Sequence, residues 1–252
     1  MKILLHYISD LHLEFYNLNI DASKIPQVKL VTDKIDKDYK NILLIAGDIG
    51  HPTRPSYGKF IAYVSGLFDY VILIKGNHEY YCGLKSELND LIKIIISPCP
   101  NVIFLDNNEV ILFGLRVLGT TLWSKVDGNS IWALNDRKYC YKNADEANSM
   151  YERSVLWLRT KLQTINNPTV VLTHHLPSYK CIHEQYKSFC YNNMFASHLD
   201  DMIQKPITVW IHGHTHKQMN ININCVHVVC NPIGYPGENT IQQDYNPILI
   251  EI

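Results

Sequence analysis

The 252-residue chain has no excess of positive charge: 23 Lys and Arg stand against 24 Asp and Glu, a formal net charge of −1. That balance excludes a polybasic binder of nucleic acid or anionic membrane, while leaving local patches open. No stretch approaches the roughly 18 consecutive apolar residues of a membrane span. The longest candidates, residues 42–46 and 91–96 (the second interrupted by Lys93), are the size of a core strand and a core helix. Met1 to Leu5 opens like a secretory leader, but His6, Ser9 and Asp10 interrupt its apolar region, so a cytoplasmic protein is expected. Cys-x-x-Cys is absent, and the seven cysteines are odd in number and irregularly spaced. Neither a disulfide framework nor a thiolate zinc site fits that pattern. No repeat and no Pro/Gly/Ser-rich linker divides the chain, and a single domain over residues 1–252 is expected.

Short β-branched runs bounded by turn residues predict strands at 2–8, 41–46, 70–74, 102–105, 109–113, 116–122, 169–173, 207–211, 226–229 and 247–252. Asp106-Asn107-Asn108 suits a hairpin turn between the fourth and fifth. The clearest helix is 144–165, where Ala147, Tyr151, Val155, Leu158, Leu162 and Ile165 recur at spacings of three and four. Asn143 stands where a cap belongs, with Asp145 and Glu146 in the first turn. Weaker helical patterns lie at 56–68, 84–96 and 194–204. Strands alternating with helices, then a strand-rich second half, predict a mixed α/β sandwich. Residues 123–142 and 176–193 fit neither element and read as long functional loops.

What the chain does have is histidine, twelve in all. His12, His78, His174, His175, His212, His214 and His216 sit in short polar clusters, each following an apolar run. Strand ends in α/β sheets deliver side chains to a common crevice. Five such ends carry metal-competent groups: Asp10 and His12; Asp48; Asn77 and His78; His174; His214 and His216. In an extended stretch residues i and i+2 point the same way, so Asp10/His12 and His214/His216 each aim two donors at one point. Any one cluster could be a solvated loop. Five loops carrying Asp, Asn and His, each after its own strand, are not explained that way.

The series Asp10-Leu11-His12, Gly47-Asp48, Gly76-Asn77-His78-Glu79, His174 and Gly213-His214-Thr215-His216 resembles the motif set of the calcineurin-like metallophosphoesterases. The stretches Thr121-Leu122-Trp123, Asn135-Asp136-Arg137 and 231–238 further resemble uncharacterised prokaryotic-type members. The resemblance implies a four-layer α/β/β/α sandwich with two mixed sheets and a two-metal site. It implies that Asp10, His12 and His216 hold one metal, Asn77, His174 and His214 the other, and that Asp48 bridges them. Seven N and O donors without thiolate suit Mn, Fe, Zn or Mg and do not choose among them. Such a pair clamps a phosphoryl group and activates a bridging hydroxide. His78, next to a ligand but not assigned to metal, is left as the general acid. Glu79 is open between a partner of the ligand residues and a simple salt bridge.

His51, three residues beyond Asp48, matches a histidine of the family's nucleases and points toward diesters. His175 is expected near ligand or substrate, and His212 as a hydrogen-bonded core residue. Arg137 and then Arg54 are the candidate phosphate-contacting arginines, since guanidinium binds phosphate oxygens in a fork. The Gly-Asp-x-x-Asp-Arg-Gly of protein Ser/Thr phosphatases is replaced by Gly47-Asp48-Ile49-Gly50-His51-Pro52-Thr53, which argues against that activity. The function expected is hydrolysis of a small phosphodiester or nucleotide. A nuclease is the alternative, disfavoured by the missing positive excess; a non-catalytic scaffold would predict eroded ligands, and none is missing.

Overall fold

The computed structural model describes all residues except 18–19, 129, 134, 165–166 and 239–244. Among the described residues, eleven strands form two mixed sheets. The first contains β1 (Lys2–Ile8), β2 (Lys40–Ile45), β3 (Tyr70–Leu73), β4 (Val102–Phe104) and β11 (Ile248–Glu251), ordered β11-β1-β2-β3-β4. Only β11 runs antiparallel to its neighbour. The second contains β5 (Asn108–Leu112), β6 (Leu115–Thr120), β7 (Thr169–Thr173), β8 (Ile207–His212), β9 (Met219–Ile223) and β10 (Val226–Cys230), ordered β5-β6-β7-β8-β10-β9. Its central strands are parallel and its two edge strands antiparallel.

Alternation along the strands of the second sheet separates its faces. Val117, Val170, Leu172, Val209, Ile211 and Val229 belong to the same buried cluster as the first sheet, so they lie between the sheets. Leu118, Val171, Trp210 and Val228 form a separate cluster on the outer face with Leu158 of the helix Ala144–Leu162. Helices α1 (Pro26–Thr32), α2 (Pro55–Ser65) and α3 (Leu88–Ile96) cover the first sheet. A short α4 (Asp136–Tyr139) precedes the long helix, α5. The result is the expected α/β/β/α layering.

The cap on α5 is the predicted one: the Asn143 side chain accepts from Glu146 N at 2.9 Å. The helix ends at Leu162, and Ile165 lies outside the described residues. The seven cysteines are free. No helix among the described residues is long and apolar enough to cross a membrane.

Two expectations fail. Residues 102–105 and 109–113 do not form a hairpin: β4 pairs with β3 in the first sheet, while β5 pairs with β6 in the second. Asp106-Asn107 is a crossing between sheets. The hairpin turn is Phe113-Gly114, both at positive φ (55° and 86°), the two-residue geometry that matches strand twist. Residues 194–204 are not a helix either. Their backbone bonds to the neighbouring segment instead, with Ser197 N donating to Leu176 O (2.9 Å) and Leu199 N to Pro177 O (3.0 Å). The helix-like spacing of Leu199, Met202 and Ile203 reflects burial against the outer face of the second sheet. Helix α1, the short α4 within the stretch 123–142 read as a loop, and edge strand β9 were not foreseen.

Candidate metal centre

All five predicted strand ends meet at one edge. β1, β2 and β3 deliver Asp10/His12, Asp48 and Asn77/His78 from the first sheet, and β7 and β8 deliver His174 and His214/His216 from the second. Backbone bonds between neighbouring strand ends within each sheet set the register. Asp10 N donates to Gly47 O (3.1 Å), His12 N to Asp48 O (3.0 Å), and Gly213 N to His174 O (3.0 Å). The Asp10 carboxylate accepts from His214 N at 3.0 Å, which ties the sheets together at the site.

Local backbone conformation is unusual here. Asp10, His12, Asp48, His214 and His216 all have positive φ, between 48° and 68°. Each costs energy relative to ordinary geometry, and such strain gathers where side chains must be aimed. Gly76 permits the closest approach: a Cβ there would lie 2.1 Å from Asp48 Oδ1.

The donors form three overlapping groups whose ligand atoms lie within 4.8 Å of one another: Asp10, His12 and His216; His12, Asp48 and His78; Asp48, His174 and His214. Within them His12 Nε2 faces His216 Nε2 at 2.9 Å, and His214 Nδ1 faces His174 Nε2 at 3.2 Å. Asn77 Oδ1 lies 3.0 Å from His174 Nε2, and Asp48 Oδ2 lies 3.3 Å from the same nitrogen. Asp10, His12, Asp48, Asn77 and His174 are all buried.

The donor set fits metal ions. Burial, with His175 and His174 alongside, pushes the His214 imidazole well below its usual range and so keeps it neutral. Its Nε2 is buried without a hydrogen-bond partner. Elsewhere the negative charge dominates: burial acts against the charged form of His78, but Asp48 and Glu14 lift it to about 9. A site that draws protons this strongly is one a cation would occupy.

Surrounding groups hold these side chains. Glu14 places Oε1 2.7 Å from His78 Nδ1 and 3.1 Å from His12 Nδ1. Burial acts against the Glu14 carboxylate, but its bonds to His12 and His78 hold it down at about 2. Glu238 Oε2 takes His216 Nδ1 at 2.8 Å. Asp136 accepts from Asn77 Nδ2 at 2.9 Å, which turns the Asn77 oxygen toward His174. Glu79 binds backbone: it accepts from Asp48 N (3.1 Å), Ile49 N (2.7 Å) and Gly76 N (2.7 Å), fixing both loops.

The segment 231–235 runs beside residues 9–10, with Ile233 N bonded to Ser9 O (3.0 Å) and Gly234 N to Asp10 O (2.9 Å). It lays Tyr235 over the site, its ring 4.5 Å from His12 and its hydroxyl 3.3 Å from His78 Nε2. Glu14, Asp136, Tyr235 and Glu238 were not singled out from sequence. Glu14 sits two residues beyond His12, in the short turn Leu13–Phe15; Asp136, Tyr235 and Glu238 lie in stretches noted only for resemblance.

His51 and Arg54 line the cavity that opens over the cluster. Burial pushes His51 below its usual value. Arg137 is displaced from the expected place: it is exposed, with its guanidinium stacked 3.8 Å over Trp132, and it does not line that cavity. Arg54 is the better phosphate candidate. His175 is buried with its ring 4.2 Å from His214 and 5.4 Å from Trp123. It packs against His214 and does not line the cavity. His212 is fully buried, with Nδ1 3.0 Å from Gly213 O, as expected of a core residue.

The crevice, the donor set and the two-sheet frame are those expected of a metallophosphoesterase. The calcineurin-like phosphoesterase family model matches residues 3–218, and the chain belongs to that family. It is 28% identical to an uncharacterised protein, L509, of Acanthamoeba polyphaga mimivirus, over 97% of this chain and 94% of the relative. Among solved structures it resembles the phosphopantetheinyl hydrolase of Mycobacterium tuberculosis (TM-score 0.66, 17% identity, covering 93% and 90% of the two chains). It also resembles the protein TT1561 of Thermus thermophilus (TM-score 0.57, 13% identity, 91% and 88%). At these identities the structural likeness concerns the fold.

Proposed function

We propose that this chain hydrolyses a small phosphodiester at a two-metal centre. Asp10, His12 and His216 would hold one ion, Asn77, His174 and His214 the other, with Asp48 shared. The observation that carries this reading is the overlap of the donor groups. Asp48 belongs both to the His12 group and to the His174/His214 group, and His12 links back to Asp10 and His216. When bound, two divalent ions neutralise phosphate oxygens and lower the pKa of bound water.

The protein's own part follows from its contacts. Asp48 Oδ1 accepts from His78 N at 2.8 Å, so the shared carboxylate also positions the proposed acid. Glu14 fixes the His78 ring through Nδ1 and leaves Nε2 facing the cavity side of the ring, toward Tyr235. Glu14, bonded to Nδ1, favours the protonated ring, and His78 would deliver a proton from Nε2 to the leaving oxygen. Arg54 and His51 stand on the cavity wall to meet the remaining phosphate oxygens.

The test is turnover of bis-p-nitrophenyl phosphate and p-nitrophenyl phosphate by metal-stripped protein resupplied with Mn²⁺, Zn²⁺, Fe²⁺ or Mg²⁺, with Asp48→Asn as the blank. Metal-restored activity above the blank with a preference for the diester is expected. Equal rates for protein and blank with every metal would refute it.

A further inference from the structure

The cavity above the cluster has a volume of about 850 Å³. A phosphate group alone fills little of it; sites of roughly 300–1,000 Å³ take a whole small molecule. Aromatic rings line it on two sides. Ile182, Tyr186, Phe189 and Phe195, from the segment between β7 and β8, line one side. The Phe195 ring is 5.1 Å from His214 and 5.9 Å from Phe189, so an aromatic surface runs from a candidate ligand out toward solvent. Across the cluster Phe15 and Tyr235 stand 5.1 Å apart beside His12 and His78. Phe15 is 56% exposed, Phe189 45% and Tyr235 39%. Exposed large rings gathered on one cavity mark a surface that something apolar covers.

Charge limits what that occupant carries. Arg54 is the one lysine or arginine among the described residues of the lining. The acids there are already engaged: Glu14 with His12 and His78, Asp48 with His78 N and His174, Asp136 with Asn77 and Tyr81, Glu238 with His216. With the His78 proton committed to the leaving oxygen, Arg54 is the one permanent side-chain cation among these residues beyond any metal at the cluster, and it serves one phosphate group. A second phosphate would meet acidic side chains with no cation to answer it.

We infer that the substrate is a singly charged phosphodiester whose non-leaving ester group is apolar, preferably a planar ring, seated on the Phe189–Phe195 wall. This deepens the phosphoesterase reading and rests on it. The leaving oxygen faces His78 on the opposite side, and stacking on Phe195 sets the direction in which the phosphate enters. Nucleoside polyphosphates and continuous nucleic-acid strands do not match this charge pattern.

Diesters that share a p-nitrophenolate leaving group isolate the other substituent. With metal-loaded protein, the phenyl diester should exceed the methyl diester in kcat/KM by about tenfold or more. Thymidine 5′-p-nitrophenyl phosphate should lose activity when a 3′-phosphate is added. Phe189→Ala and Phe195→Ala should each narrow the phenyl-to-methyl ratio, and Phe195→Leu should restore part of it. Equal kcat/KM for methyl and phenyl, or a preference for the 3′-phosphorylated compound, would overturn the inference.

Calorimetric titration with diphenyl and dimethyl phosphate reads the wall without turnover. Tighter binding of the diphenyl compound by a protein that hydrolyses no ester would sink the hydrolase reading and leave the wall assignment standing. Equal binding of the two would sink the wall assignment whatever the turnover.

Discussion

His78 Nδ1 and Glu14 Oε1 lie 2.7 Å apart, both side chains buried, and the same carboxylate oxygen lies 3.1 Å from His12 Nδ1. One acid therefore sets the orientation of a proposed metal ligand and of the proposed proton donor. Glu14→Gln keeps the size of the side chain and removes the charge. It should lower kcat about 10–100-fold, as loss of partners behind metal ligands does, with little change in melting temperature. Steady-state kinetics with a thermal melt checks this; unchanged kcat would remove Glu14 from the mechanism.

His78→Ala separates acid from ligand. Turnover should fall about 10²–10⁴-fold while two metals per chain are retained. Elemental analysis of the purified variant decides: loss of one metal would make the His12–Asp48–His78 group a true binding site and His78 a ligand.

His51→Ala should reduce diester hydrolysis more than monoester hydrolysis, since His51 stands on the cavity wall with Arg54. Equal losses on the two p-nitrophenyl substrates would take away its link to diesters.

Gly47→Ala probes the strained turn that carries Asp48. Gly47 has φ +83°, and a Cβ there would lie 2.5 Å from Gly76 N and 2.8 Å from His174 Nδ1. The left-handed backbone alone costs a residue with a Cβ about 1–2 kcal/mol, before the clash with backbone is added. Denaturant unfolding of the metal-free variant should show at least that loss, and a wild-type midpoint would contradict the close approach.

Acid stability has a contributor away from the site. His6 is buried in β1 with Nε2 3.0 Å from Asn41 Oδ1, and burial lowers its pKa below 6.5. The folded protein thus favours the neutral ring. Its stabilisation is complete above the unfolded value near 6.5 and is lost as pH falls below it toward the folded value. Between about pH 7.5 and about pH 5.5, metal-free wild type should lose more stability than metal-free His6→Gln. Parallel losses would show that His6 does not couple folding to protons.

Most of the centre was legible because its residues are of distinctive types placed at strand ends, where sequence order and spatial order agree. The strand pattern and the Asp/Asn/His clusters bring out eight candidate donors. Which seven would hold metal, with His78 set apart, comes only from the resemblance to the metallophosphoesterase motifs. Their supports were harder to see. Asp136 reaches Asn77 across 59 residues and Glu238 reaches His216 across 22, contacts that no local period encodes. The misplaced hairpin has a similar origin. Asp106-Asn107-Asn108 has the composition of a tight turn, yet the tight turn is made by Phe113-Gly114, and only the pairing of whole strands reveals which is which. Arg137 was chosen for its chemistry, and the cation–π contact with Trp132 takes it elsewhere.

His12 and His216 meet at 2.9 Å although 204 residues separate them. Contacts of such long range form only after the chain between them is ordered. During synthesis the amino-terminal half therefore leaves the ribosome with a partial donor set, and the full set exists only once β8 has joined its sheet. Ions that bind the native chain alone add about 4 kcal/mol of stability at a thousandfold excess over Kd. On the two-metal reading, metal supply would govern how long each finished molecule survives proteolysis as well as whether it works.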